Sequence, residues 1–416
     1  MLSRITGKKK GAMLPLERFR VLDLTRFLSG PYATMVLAEL GADVIKVERF
    51  PEGDDSRRLE PKVNGESYPF GMPNRSKRSL ALDLKSSSGR EVFLRLARDA
   101  DLVIENFRPG VTGRLGIDYE AVRAVRPDVL YCSISGFGQT GPYRDRPGFD
   151  IMAQGVTGFL RMTGQPEGTP AKVGIAINDI AAGATAIYSV LAAQLVRERT
   201  GEGQYIDISL VDAGLAWTIW ESGAFFGDGE VPQPVGTRHR RSTPYQAYVT
   251  SDGYVTIGAN TDRLWQRLVR DVLDRPEWLT DPRFATLPDR MAHIDELQDE
   301  IEAITSMRTT DDWIAVLDRT GVPGGPVFTY DQTLSDPHVL ARDMVVDLEH
   351  PIIGAMRTIG TGAKFSGLDF SVRGPAPWLG QHTVAVLRES GLDEGEIARL
   401  FDDDVVFDEH PELHRR

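Results

Sequence analysis

Only one cysteine, Cys132, occurs among the 416 residues. It can form no intrachain disulfide and no cysteine-based zinc site, a usage that fits a reducing compartment. The seven histidines are scattered and none forms an HExxH pair, so a helical zinc motif is absent too. Basic residues are the minority, 48 against 60 acidic, for a net charge of −12. Such a chain is not a nucleic-acid coat and is ill matched to an anionic membrane; a polyanionic ligand must find a local basic pocket. The start, MLSRITGKKKGAML, has no apolar run of the kind that precedes signal cleavage, and residues 1–14 read as a disordered basic tail. Long apolar runs are scarce. The longest, Ile180 to Val196, reaches only the lower edge of the ~17–25 residues a membrane span needs. It is mostly Ala, with Gly183, Thr185, Ser189 and Gln194, and reads as a buried helix. The expected location is cytoplasmic.

What is present has ordinary globular composition, 41% apolar and 26% charged, with length for two or three domains. A strand at Val21–Leu24 leads through Ser29-Gly30-Pro31, with Pro31 expected at the first helical position, into a helix that closes at Gly41. A strand at Asp43–Val47 completes a βαβ unit, so the fold class is α/β with a parallel sheet. Further strands are expected at Ser79–Leu84, Leu102–Glu105, Val129–Ser133 and Tyr205–Ser209. Helices are expected over Ser88–Ala97, Tyr119–Val125, Asp150–Arg161, Asp179–Arg199 and Val211–Phe226. Composition shifts over 227–243. A strand pair follows at Tyr245–Thr250 and Tyr254–Gly258, then helices near 262–274, 290–304 and 309–320. Residues 321–326, Gly-Val-Pro-Gly-Gly-Pro, read as a hinge-like breaker, and a last helix lies near His382–Ser390.

Three motifs bear on chemistry. Gly136-Phe-Gly138-Gln-Thr-Gly141 matches GxGxxG, but Pro142 follows at once and no acidic residue stands at a second strand end, so dinucleotide binding is not expected there. Arg49, Asn106, Phe107, Arg108 and Arg114 sit on loops leaving strands, the place where open parallel sheets bind ligands; Asn74-Arg75-Ser76-Lys77-Arg78 precedes a strand. Solvated surface charge is the alternative reading of these basic residues. Asn178-Asp179 opens the small-residue helix. Asp179 there reads as an N-cap, yet Ala181-Ala182-Gly183-Ala184 leaves room for a bulky reactant beside its carboxylate.

Six segments, in order, carry a resemblance: VLDLTRFLSGPYATMVLAELGADVIKVER, NRSKRSLALDLKSSSGREVF, ADLVIENFRPGVTGRLG, YCSISGFGQTGPY, NDIAAGATAIYSVLAAQLVRERTGEGQYIDISL and PWLGQHTVAVL. They resemble the class III CoA-transferases, the family of formyl-CoA transferase and the carnitine and bile-acid CoA-transferases. The resemblance runs from about Leu16 to about residue 402. It implies a large Rossmann-like domain, here 1–226 with 327–416, a small domain over 227–326 with its linkers, and two chains interlocked as a homodimer. It implies Asp179 as nucleophile, forming an acyl anhydride and then an aspartyl-CoA thioester. It carries CoA contacts to Arg49, Lys77, Arg78, Asn106, Phe107 and Arg114. Coenzyme A then enters as substrate, with a small carboxylic acid as partner. No permanently bound cofactor, metal, nucleic acid or membrane is implied.

Two departures bear on specificity. Leu28 stands where formyl-CoA transferase has Gln, and that enzyme's glycine-run loop is replaced around His239-Arg240-Arg241-Ser242-Thr243-Pro244. Oxalate and formate are therefore not the expected substrates. The stretch from Val235 looks closer to relatives using succinyl-CoA and other dicarboxylates, and Arg238, Arg240 or Arg241 is the expected partner of a distal carboxylate. The alternatives are an α-methylacyl-CoA racemase and a non-enzymatic CoA-binding protein. The racemase branch has a His in a Gly-His-Asp segment; here the segment is Gly148-Phe149-Asp150, and Phe149 carries no proton. A binding protein would be expected to lose the nucleophile, whereas Asp179 is present.

Overall fold

A mostly buried first helix between two parallel strands sets the frame. In the computed structural model, which describes residues 14–410, 412 and 413, β1 (Arg20–Asp23) is followed by β2 (Asp43–Glu48), β3 (Arg78–Leu82), β4 (Leu102–Glu105), β5 (Leu130–Ser135) and β6 (Gln204–Ser209). The expected basic tail lies outside the described residues but for Leu14. The six strands run parallel in the order β3-β2-β1-β4-β5-β6, and Val406–Phe407 adds an antiparallel edge beside β3. The expected parallel sheet is present; β1 to β5 are buried almost throughout because both faces are covered, whereas β6 at the edge leaves Tyr205 and Asp207 exposed. The order turns back between β1 and β4, which opens a crevice at their carboxyl ends.

The covering helices are α1 (Ser29–Glu39), α2 (Ser87–Ala97), α3 (Tyr119–Val125), α4 (Asp150–Val156), α5 (Ile177–Thr200), α6 (Leu210–Ala216) and α7 (Ile219–Asp228). One core joins α1, α5 and α6 to the sheet through Ala33, Leu37, Ala182, Ala186 and Val190. The other joins α2, α3 and the C-terminal helices Thr383–Glu389 and Glu394–Asp402 to the opposite face.

Several boundaries differ from the sequence reading. α1 begins before Pro31, since Tyr32 N–H already bonds Leu28 C=O at 2.8 Å; a first-turn residue needs no N–H, so Pro31 fits there as well. The helix expected over Asp150–Arg161 stops at Val156, and Gly158, at φ +83°, separates it from Phe159–Met162. The helix expected over Val211–Phe226 breaks after Ala216, where the Thr218 hydroxyl bonds Leu215 C=O at 2.8 Å and competes with the helical ladder. α5 is buried along one stripe only. Tyr188, Leu195 and Val196 are exposed, so the buried helix expected there is buried on one side only; by length and composition alone it could also cross a membrane.

The chain divides into two compact units. One holds the described residues to Phe159, Val173–Glu230, and the chain from His338. The other holds Leu160–Lys172 and Val231–Pro337. In the second, Tyr245–Val249, Tyr254–Gly258 and Gly324–Pro326 form an antiparallel sheet over a core with Trp265, Trp278, Phe284 and Trp313. The expected breaker at 321–326 is therefore partly strand. Gly324 permits it: a Cβ there would lie 2.5 Å from Leu317 and 2.6 Å from Thr256 O.

Candidate active site

Asp179 is the third residue of α5, not its cap. The N-cap residue, Ala176, makes no side-chain bond. Asp150, at the start of α4, does the capping: its Oδ1 accepts from Asn178 N–H at 2.9 Å and from Asp179 N–H at 3.4 Å. Gln154, fully buried, donates from Nε2 to Asp150 Oδ2 at 2.6 Å and accepts from Val173 N–H at 3.0 Å. The capping role expected of Asp179 thus belongs to Asp150, because the helix starts two residues earlier than the sequence pattern suggests.

Ser29, the first residue of α1, donates its hydroxyl to the half-buried Asp179 carboxyl. The two helices approach closely because Gly183 has no side chain. A Cβ there would stand 2.6 Å from Ser29 O and 2.8 Å from the Tyr32 ring. Burial pushes the Asp179 carboxyl up to about 7, the charge of Asp150 adds to this, and the Ser29 hydroxyl draws it partly back.

The loops leaving β1 and β4 are tied across the crevice. Asn106 accepts from Arg26 N–H and donates to Arg26 C=O, both at 2.8 Å, and its Nδ2 lies 3.4 Å from Ser29 Oγ. Arg26 lies over the Phe107 ring at 4.9 Å and shares Asp55 with Arg49, at 3.5 and 2.8 Å. Burial first, then the charge of Arg49, hold the Arg26 guanidinium below its ordinary value. Leu28, half-buried, immediately precedes α1. Phe27 before it has φ +60° and meets Phe149 edge-on at 6.5 Å. Its N–H bonds Asp54, which pairs with Lys46 at 2.9 Å, both side chains fully buried.

Arg114 closes the short helix Val111–Leu115 and lines a cleft of about 280 Å³ with Lys85, Ser86, Ser87 and Arg90, at the N-terminus of α2. Lys77 and Arg78 are not brought to these groups. Lys77 Nζ is fully buried against Asp23, Asn74 and Pro31 C=O, at 2.9, 2.9 and 3.1 Å. Arg78, at the amino end of β3, grips Asp43 and Glu389 at 2.7 and 2.9 Å. Arg238, Arg240 and Arg241 lie in the second unit. Arg238 is held by Asp295 at 2.6 Å and Gln298 at 2.9 Å. Arg240 donates to Met162 C=O at 3.0 Å and to Gln233 C=O, which orient it without cancelling its charge. Arg241 is exposed.

The sequence alone does not single out Arg26, Ser29, Lys85 or Arg90, nor Asp150 as the residue that caps α5. Lys85 and Arg90 had a signal: they flank Ser86, a good cap, at a helix start after a strand. The GxGxxG segment has its donors engaged, Gly138 N–H on Ser135 and Gln139 N–H on the Asp207 carboxylate at 3.0 Å, and a carboxylate there repels phosphate. Among the described residues Glu66, Glu409 and His410 come within mutual reach of one ion, but Arg57 stands 3.9 Å from Glu66 and disfavours a cation.

Residues 16–383 match CoA-transferase family III. The chain belongs to that family. Among family III relatives, it is 36% identical over 397 residues to succinyl-CoA:glutarate CoA-transferase of Mus musculus, covering 95% of this chain and 91% of that one. It is 36% identical over 398 residues to acetyl-CoA:oxalate CoA-transferase of Acetobacter aceti, covering 95% and 100%. The crystal structure of a CAIB/BAIF family protein from Brucella suis matches with a TM-score of 0.82 at 38% identity, covering 90% of this chain and 99% of that one. The family makes this chain a CoA-transferase; the relatives named act on acyl-CoA and carboxylate substrates.

Proposed function

We propose that the protein moves CoA from an acyl-CoA to a dicarboxylate through covalent intermediates on Asp179. The observation that carries this reading is the setting of that carboxyl. It heads a helix that continues Ala181, Ala182, Gly183, is held by Ser29, and adjoins the crevice loops. Its carboxylate attacks the thioester carbonyl: a C–O bond forms, the C–S bond breaks, and CoA leaves as thiolate. The thiolate attacks the Asp179 carbonyl of the mixed anhydride, releasing the donor acid as carboxylate and leaving an aspartyl-CoA thioester. The acceptor carboxylate attacks that thioester and expels the thiolate again. Thiolate then attacks the acceptor's acyl carbon, which frees Asp179. Each exchange is between groups of similar energy, and no proton is gained or lost, so Asp179 must enter ionised. The reactive anhydride requires that water be kept out.

The CoA diphosphate and adenine are assigned to Arg49 with Arg26 and Phe107, and to the Arg114 cleft with Lys85 and Arg90. Asn106 and Lys77 act from behind by holding the loops, and Arg78 braces β2 against the C-terminal helix. Two relatives are named for glutarate and oxalate, both dicarboxylates, which supports a two-ended acceptor and puts oxalate back on the substrate panel. Leu28 bounds the acyl end, and Arg238, Arg240 and Arg241 are the arginines to test for recognition of a distal carboxylate. The strand order supports the Rossmann-like reading of the large unit. A second, interlocked copy accounts for the apolar outer faces of α5 and α7, where Ile219, Trp220 and Phe226 are 79%, 73% and 82% exposed.

The test is a transfer assay of acyl-CoAs against mono- and dicarboxylates, read by mass spectrometry of the new CoA ester, with Asp179→Ala and Asp179→Asn. Both variants should lose transfer, and hydroxylamine should trap acyl-CoA-treated wild type as a modified Asp179 peptide. Near-wild-type turnover in Asp179→Ala ends the covalent reading.

A further inference from the structure

We infer that Asp150, anchored by Gln154, is a positioning residue that sets the charge state of Asp179 and so the pH at which the covalent step begins. The inference rests on the Asp179 reading above and deepens it.

A lone aspartate in the first turn of a helix normally gains from the helix dipole, which favours its ionised form. In α5 that advantage has been taken by another residue. The exposed end of the peptide dipole points at Asp150, whose Oδ1 holds two N–H groups of α5 and whose Oδ2 holds the Gln154 amide. Asp150 thus accepts three donors, two of them backbone N–H groups of α5. Gln154 cannot swing away, since it is fully buried and its Oε1 holds Val173 N–H in the segment leading into α5. The Asp150 carboxyl is therefore fixed beside Asp179, which has one neutral donor, Ser29. When two neighbouring carboxyls compete, the proton resides on the one with the fewer donors. The raised value of Asp179 agrees with this.

The other elements packed against α5 carry Tyr32 and Glu39 on α1, Asp212 on α6, Tyr205 and Asp207 on β6, and Tyr131 and Cys132 on β5, whereas the charge that acts on Asp179 is that of Asp150. α1 offers Ser29 near the site and Glu39 at its far end, where Glu39 pairs with Arg75 at 2.7 Å. α6 carries Asp212, which is exposed and acts on Asp207. α5 has no other charged residue in its first five turns, up to Arg197. The consequence is a nucleophile that is more basic than an ordinary aspartate, and idle until its proton leaves.

The experiment compares wild type with Asp150→Asn, Asp150→Ser and Gln154→Met. Asn and Ser both accept a capping bond but carry no charge. Two profiles are measured against pH: single-turnover thiol release from acyl-CoA, and carbodiimide modification of Asp179 followed by peptide mass spectrometry. The second reads the titration without turnover, so it decides the inference even if Asp179 proves not to be the nucleophile; hydroxylamine trapping judges that separately. In both Asp150 variants the Asp179 titration should move down by about one pH unit, the size expected on removing a neighbouring like charge. Gln154→Met keeps the charge and should move it less. An unchanged titration in the Asp150 variant that folds, or an equal shift in Gln154→Met, overturns the inference.

Discussion

Asp179 carries a charge that its surroundings resist, and this has a cost in stability. Its folded value of about 7 exceeds the ordinary 3.8, so between these values the folded chain holds more proton than the unfolded chain. The stabilising contribution is full below 3.8 and is lost as pH rises through about 7. Asp179→Asn removes the ionisation. At pH 8 the variant should be more stable than wild type by roughly 1–3 kcal/mol, discounted from about 1.4 kcal/mol per unit because the group is half-buried. Below about pH 4 the two should converge, apart from the ordinary cost of the amide. Urea titrations at both pH values check this, and a gap as large at low pH as at pH 8 contradicts it. The identity of Asp179 was legible because its neighbours are small and its segment resembles a family. Its chemistry was not. Ser29 lies 150 positions away by number, and Asp150 had been weighed only as part of a racemase-like segment. Lys46 and Asp54 were equally hidden, since each is one charge among many in KVERFPEGDD and only folding seals them together.

At the scale of elements, strands were read well because a strand covered on both faces is an apolar run bounded by polar turns. Leu102–Glu105 and Tyr119–Val125 coincide with their expected limits. The misreadings fall where one residue outweighs a periodic pattern: Gly158, Thr218, and Gly324 in a strand so tight that only glycine fits. The crossing of α1 and α5 depends on such a residue. A Cβ at Gly183 would meet Ser29 backbone, which cannot rotate away as a side chain could. Gly183→Val should therefore separate the helices, costing about 1–3 kcal/mol as overpacking does, and should carry the Ser29 hydroxyl away from Asp179. The expected result is a lower denaturation midpoint and a fall in kcat of at least about tenfold, the loss of one hydrogen bond to a charged group. Gly183→Ala should show the same trend, smaller. Full turnover in the Val variant would mean that the Ser29 contact does not serve the reaction.

For the whole molecule, the decisive feature is what one chain leaves uncovered. α7 has no buried residue although it reads IWESGAFFGD, and α5 leaves Tyr188, Leu195 and Val196 in the open. Sequence periodicity could not reveal this, because an apolar face looks the same whether it meets its own sheet or another chain. Scattered surface apolar residues need no partner, but helices that expose Trp and Phe at 73% and 82% call for a covering surface. A second copy is the partner that the acidic, family-typical chain always has at hand, and a closed two-fold contact requires self-complementary patches. On this reading the stability of the fold depends on protein concentration, since obligate dimers often have no stable folded monomer. Wild type should sediment as a dimer at micromolar concentration, with a thermal midpoint that rises on concentrating. Trp220→Asp and Ile219→Asp put a charge where the partner would bury it, and should shift sedimentation toward monomer or aggregate and remove the transfer activity with it. Phe328→Asp, an exposed aromatic in the second unit, controls for the loss of any surface ring. Wild type that stays a well-folded, active monomer under these conditions would leave α7 without a partner and defeat the dimer.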